Sequence, residues 1–252
     1  MDIGNGRMLI DEYTQCMTFS ENFCNITGSI DVLVQKVFPK IAQYYKNHQC
    51  LSTHAILAAR NNDVNTINFT IQNGIPGETT TYKSIDTVVN QDEVVNYLTE
   101  FLNSLDLPGM PLHVFILKIA VLIILLRNIN SPRLCNGTRL SVQKMMNNVI
   151  EATILFGKFK GKDVLLPRIP IIPTDMPFEF NCLQFPLRLA FAITINKAQG
   201  QSLQVCGLHL ENPCFSYGQL YVAFSCVGNP SDLFIYAPDG KTRNIVYPIA
   251  LQ

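Results

Sequence analysis

Tryptophan is absent from the 252 residues, and charge is scarce: 15% of the chain is charged, with 19 basic and 19 acidic side chains and a formal charge of zero. The overall positive excess that marks many nucleic-acid binders is therefore missing. There is no low-complexity run and no glycine period, which excludes a fibre, and 48% hydrophobic residues with a mean hydropathy of +0.17 exclude a disordered chain. No apolar run reaches the roughly 20 residues of a bilayer-spanning helix. The longest, Val114 to Leu126, is broken by Lys118 and its Ile and Val content suits buried strands. Met1 to Arg7 lack a charged segment followed by an apolar one, so a secretory leader is not expected. The expectation is an intracellular protein, nuclear or cytoplasmic, without membrane contact. The eight cysteines form no C-x-x-C and no paired spacing with the four histidines, so no metal site is expected and the thiols should be reduced. The Asn-x-Thr triplets at Asn25, Asn68 and Asn136 then read as chance.

What charge there is lies unevenly. Residues 1–110 hold 6 basic and 12 acidic side chains, whereas residues 111–180 hold 9 and 4. Residues 30–45 carry an amphipathic helical stripe in which Pro39 should produce either a kink or two consecutive short helices. Ala55 to Ala59 read as a strand, the polar turn Arg60 to Asp63 follows, and Val64, Ile67 and Ile71 recur at helical spacing. Residues 79–90 read as a further short strand and residues 92–105 as a helix. From 112 to about 172 the chain consists of short β-branched segments separated by turn residues, the pattern of a small barrel. Beyond Pro173 it returns to α/β, with Leu187–Ile193 as one buried strand, a helix from about Asn196, a strand over 205–210, a helix over 217–227 and a last strand over 233–236. The domain plan is thus a leading segment over 1–50, an α/β domain made of 51–111 and 181–252, and an inserted β-barrel over 112–180.

Two segments carry chemistry. In Leu189 to Leu203 an apolar strand runs directly into Thr194, Asn196, Lys197, Gln199, Gly200 and Gln201. Hydroxyl, amide and ammonium groups then collect where parallel sheets bind ligands, and Gly200 lets the backbone approach a phosphate. An ordinary strand-to-helix loop with a solvated lysine would look the same. In Phe215 to Val227, Leu220, Ala223, Phe224 and Val227 form one helical face, which serves a core as well as a site.

In this order and about 25 residues apart, the two segments resemble motifs V and VI of superfamily-1B DNA helicases, in particular the petite-integration-frequency (Pif) family and the related helicases of Helitron transposons. Ala55 to Asn61 resemble motif IV. The resemblance continues through Ser84 to Val88, Leu125 to Asn128, Leu134 to Arg139, Pro167 to Pro170 and Gln184 to Pro186, and Asn5-Gly6-Arg7 resembles the stretch joining the two motor domains. It implies an α/β fold in which a RecA-like second motor domain is interrupted by the small β-barrel, with single-stranded DNA as partner. It also places Gly200, Gln201 and Gln199 at a nucleotide cleft. Thr194, Asn196 and Lys197 would link that cleft to the DNA backbone, and Arg60 and Asn61 would sit at the equivalent loop of motif IV. The basic middle would supply a further DNA surface: Lys158, Lys160 and Lys162 above all, with Lys118, Arg127, Arg133, Arg139, Lys144 and Arg168 as candidates.

The family's ATP and Mg2+ are held by a first motor domain with a phosphate loop G-x-x-x-x-G-K-[ST] and an acidic metal motif. Neither occurs in this sequence: the nearest string, Gly157 to Asp163, has the wrong spacing and reads as a hairpin tip. ATP and Mg2+ are therefore expected only beside an N-terminal helicase domain, and the chain is expected to be inactive alone. Cys226 stands where the family has the arginine that reaches the γ-phosphate, Cys182 where it commonly has a basic residue, Tyr217 where it has His, and Ala120 and Leu122 where it has Gly and Pro. Two other readings stay open: a non-catalytic nucleic-acid-binding or interaction module derived from a decayed transposon helicase, and an unrelated enzyme with Cys226 as nucleophile.

Overall fold

The computed structural model describes residues 10–14, 16–19, 24–89, 97–174 and 176–245; the Asn5-Gly6-Arg7 resemblance lies outside them. In chain order the elements are β1 (Met17–Thr18), β2 (Asn25–Ile26), α1 (Ile30–Val37), α2 (Ile41–Tyr44), α3 (His48–Ser52), β3 (His54–Ala58), α4 (Asn61–Gly74), β4 (Thr80–Lys83), β5 (Ile85–Val88) and α5 (Thr99–Ser104). There follow β6 (Val114–Leu117), β7 (Leu122–Leu125), β8 (Arg139–Met145), β9 (Val149–Ile154), β10 (Asp163–Pro167), β11 (Ile169–Ile171) and β12 (Phe180–Gln184). The last are β13 (Leu187–Leu189), β14 (Ala192–Thr194), α6 (Ile195–Ala198), β15 (Val205–His209), α7 (Gln219–Ser225), β16 (Leu233–Tyr236) and β17 (Lys241–Thr242). No helix among the described residues is long and apolar enough to cross a membrane.

The chain divides into two compact units, residues 1–75 with 191–252 and residues 76–190. The domain plan from sequence put the inserted segment at 112–180. The difference arises because β4 and β5 pair with β6 and β12 in the second unit, not with the parallel sheet of the first.

The first unit is built on a five-stranded parallel sheet of order β14-β3-β15-β16-β2. All of β3 is buried, which is why its sequence is a continuous apolar run without alternation. Ser29 caps α1 by accepting from the Val32 N–H at 3.3 Å, and α1 turns Leu33 and Val37 inward. Pro39 then separates α1 from α2, as its missing N–H requires. The approach of α1 to the sheet explains Gly207 on β15: a Cβ there would stand 2.8 Å from Val37 Cγ2 and 3.0 Å from Ile56 Cγ1. At the sheet edge, Asn68 of α4 seals β14 by donating to the Ala192 carbonyl and accepting from the Ala192 N–H, both at 2.8 Å. With that amide engaged twice and buried, the Asn68 triplet is no glycan acceptor.

The second unit holds an antiparallel five-stranded sheet of order β10-β9-β8-β7-β13, a three-stranded sheet β11-β12-β5 and the pair β4-β6. The short β segments expected from 112 to about 172 are present as β6 to β11. No ladder among the described residues joins β10 to β13, so the expected closed barrel is not seen and the main sheet is open. Ala120, in the tight link between β6 and β7, has φ +66°, a conformation that glycine adopts without strain and alanine does not. The apolar run Leu187–Ile193, read as one strand, serves both units: β13 pairs antiparallel with β7, whereas β14 pairs parallel with β3.

Candidate functional site

The carboxyl edge of the parallel sheet gathers one set of expected residues. Thr194 is in register with Ala58, and Ala58 with His209, so the segments leaving β14, β3 and β15 begin side by side. The first carries Asn196 and Lys197 on the single turn of α6, and the second carries Arg60 and Asn61 at the start of α4. Arg60 and Asn196 are exposed, Asn61, Thr194 and Lys197 half-buried. Carboxyl edges of parallel strands collect polar loops because the apolar strands end there while their helices start there.

The third segment adds residues that motif reading missed. His209 is buried; its Nε2 lies 3.3 Å from Glu211 Oε2, and its Nδ1 is buried without a hydrogen-bond partner. Asn212 Nδ2 reaches both oxygens of Asp63, at 3.0 and 3.2 Å, and so fixes a carboxylate in the first turn of α4. Burial is the larger influence on His209 and holds its imidazole below the usual value, while Asp63 and Glu211 pull the other way. The signal that could have found them is the alignment of β15 with β3, a property of the sheet and not of any contiguous motif. Two acidic groups at this edge temper the positive charge of Arg60 and Lys197.

Gln199, Gly200 and Gln201 follow on the path back toward β15. Gly200 has φ +78° with open space where a Cβ would stand, and Gln201 folds back, its backbone N–H donating to the Ala198 carbonyl at 2.9 Å and its Nε2 to the Lys197 carbonyl at 3.0 Å. Cys226 ends α7 and is 2% exposed, with Sγ 3.3 Å from the Ala198 carbonyl and 3.2 Å from the Val222 carbonyl. Burial raises its thiol above the ordinary cysteine value, the reverse of what a nucleophile needs, which removes the basis for the cysteine-enzyme reading. Among the described residues no three His, Cys, Asp or Glu side chains converge on a possible metal position. The described residues do not fit ATP and Mg2+ by themselves: no acidic cluster among them could hold the metal, and Cys226, where the resemblance expects an arginine, offers a buried thiol.

In the second unit the basic candidates separate into two groups. Arg139 is 2% exposed, donates to the Ala190 carbonyl at 3.0 Å and is pulled down to about 10 by burial, so it stays cationic at neutral pH but faces no solvent. Lys118 is also buried. Arg168 lies over Tyr82 and Phe185 and donates to the Lys83 carbonyl at 2.7 Å, and Arg133 donates to the Asp163 carbonyl at 2.8 Å. For Lys118 and Arg139 the expectation of a DNA-facing charge is corrected: both are buried, Lys118 in the link that follows β6 and Arg139 at the start of β8, where the Ala190 carbonyl accepts from its guanidinium. Lys144, Lys158, Lys160 and Lys162 are exposed, and the last three crowd the tip of the β9–β10 hairpin. Positive φ values at Gly157 and Gly161 and the Lys160 N–H to Gly157 carbonyl bond at 3.1 Å shape that tip. Cys182, across from Asp86 in the β12–β5 ladder, is buried, and burial and the neighbouring carboxylate push its thiol up to about 12. The inward position explains why a basic residue there would meet Asp86, whose Oδ1 here is buried without a hydrogen-bond partner.

The fold and its edge define a mixed α/β chain with a parallel-sheet unit. The profile of the DNA helicase Pif1 2B domain matches residues 100–145, within the second unit. An ATP-dependent DNA helicase Pif1 of Campylobacter jejuni is 28% identical over 237 residues, which is 89% of this chain and 52% of that protein, and the ATP-dependent DNA helicase PIF6 of Trypanosoma brucei brucei is 28% identical over 179 residues, 60% of this chain and 22% of that protein. The chain thus spans about half or less of the length of these curated relatives. Solved structures of similar fold include a Pif1 helicase from Candida albicans, with TM-score 0.59 and 20% identity over 92% of this chain and 57% of that one. Another is a Pif1 helicase from Bacteroides in complex with ADP-AlF3 and ssDNA, with TM-score 0.59 and 23% identity over 88% of this chain and 47% of that one. The chain is thus similar to Pif1-type DNA helicases over most of its length.

Proposed function

We propose that this chain is the C-terminal portion of a Pif1- or Helitron-type ATP-dependent DNA helicase: it binds single-stranded DNA and completes the ATP site of an N-terminal motor domain, without turning ATP over by itself. One observation carries the reading: the parallel register sets Arg60 and Asn61 beside Thr194, Asn196 and Lys197 at one sheet edge. Cationic, amide and hydroxyl donors there suit a sugar–phosphate backbone, whose recognition rests on charge and donors and carries no base sequence. The lysine hairpin of the second unit adds three mobile-stemmed charges of the same sign. The buried thiol at position 226 favours a second reading, a nucleic-acid-binding module that keeps the fold and has lost the ATPase.

The test is anisotropy titration of a labelled oligothymidine with the full chain across a salt series, together with an ATPase assay. The expected result is binding that weakens steeply with salt and no ATP turnover above buffer. The variant carrying Lys158→Glu, Lys160→Glu and Lys162→Glu should bind more weakly, with a salt slope shallower by about 2. Absence of binding at low salt overturns the DNA reading, and turnover by the chain alone overturns the need for a partner domain.

A further inference from the structure

The basic hairpin carries more than charge. Its tip reads Phe156-Gly157-Lys158-Phe159-Lys160-Gly161-Lys162, so the three exposed lysines alternate with aromatic rings and glycines. Phe156 is 36% exposed although Leu155 beside it is buried, and Phe159 is half-buried. The guanidinium carbon of Arg139 lies 5.8 Å from the centre of the Phe156 ring. Arg139 is itself held in the unit by the Ala190 carbonyl. Phe156 therefore rests on an anchored cation and still presents part of its surface to solvent beside the three lysines. A part-exposed ring backed by an anchored cation and set amid exposed lysines suits a polyanion that also carries flat aromatic groups. In a duplex those groups are stacked inside, whereas in a single strand they are free.

We propose that Phe156 is a base-stacking platform, so that the hairpin binds single strands through their unstacked bases while Lys158, Lys160 and Lys162 hold the phosphates. The proposal rests on the single-strand reading above and deepens it. Stacking is blind to base identity because every base has a π-face, so the platform is sequence-tolerant. Charge alone would serve an acidic protein segment or heparin equally well, and the ring is what separates the outcomes.

The experiment compares two probes on the full chain: an oligothymidine, and an abasic strand of the same length whose phosphates remain. Phe156→Leu keeps apolar bulk and removes the π-face, and Phe156→Tyr keeps the π-face. The wild type and Phe156→Tyr should bind the oligothymidine more tightly than the abasic strand. Phe156→Leu should lose roughly ten-fold for the oligothymidine and nothing for the abasic strand, by the usual worth of one base stacked on an aromatic ring. Independently of any variant, a strand carrying 2-aminopurine should lose fluorescence on binding the wild type, as a base stacked on a ring does. Equal affinity of the wild type for both strands without quenching, or an equal loss for both strands in Phe156→Leu, overturns the platform and leaves the DNA reading standing. Failure of the wild type to bind either strand overturns both.

Discussion

Arg139 shows how far a residue's role can depart from its type. Counted in the sequence it is one of nine basic side chains of a positive segment; in the fold it is a strut, bonded to the Ala190 carbonyl at 3.0 Å. Its charge survives burial because the guanidinium, though pulled down to about 10, remains protonated at neutral pH. Arg139→Ala removes both the packing volume and the partner of a carbonyl, and should destabilise the chain by about 2–4 kcal/mol in urea unfolding. The folded fraction should keep the wild-type salt slope for oligothymidine. A stable variant with a shallower slope would return Arg139 to the DNA surface. Ala120 is the complementary case: its replacement of a glycine is visible in the sequence resemblance, while its φ of +66° shows why glycine suits the position.

At the level of elements, β3 and β15 were legible because buried parallel strands are continuous apolar runs. The end of one element and the start of the next were not. The run Leu187–Ile193 looks like one strand because nothing in its side chains marks Ala190 and Phe191 as the place where the chain leaves an antiparallel sheet for a parallel one. The edge formed by these strands makes its own prediction. Since burial holds His209 below the ordinary imidazole value, the unfolded chain takes up a proton there that the folded chain resists. This contribution to stability is therefore present above about pH 6.5 and is lost as the pH falls. His48, lowered for the same reason, adds to the loss. His209→Gln should flatten the acid limb of a stability–pH curve measured by chemical unfolding between about pH 7 and 5, without abolishing it. An unchanged limb would mean that Glu211 and Asp63 offset the burial of His209 in full.

For the whole molecule the decisive position is Cys226, where the resemblance expects an arginine and the fold holds a thiol between the carbonyls of Ala198 and Val222. We expect Cys226→Arg, in a fusion to the N-terminal motor domain of a Pif1-type helicase, to raise ATP turnover by on the order of 10³ or more, with far less change in nucleotide affinity, since the missing charge matters most in the transition state. A lower melting temperature with no gain in rate would mean that position 226 only packs, and that a guanidinium there is buried without a partner. By itself the sequence determined the alternation of helices and strands, the two chemical segments around Thr194 and Cys226 and the Pif1 resemblance, because local periodicity and ordered motifs are properties of neighbouring residues. Only the tertiary structure decided that β4 and β5 join the second unit, that its main sheet stays open, that Arg139 and Lys118 are inside, and that His209, Glu211, Asp63 and Asn212 meet Arg60 at one edge. Each of these depends on which strands pair and in what register, and such pairings join residues far apart in the chain that carry no mark of one another.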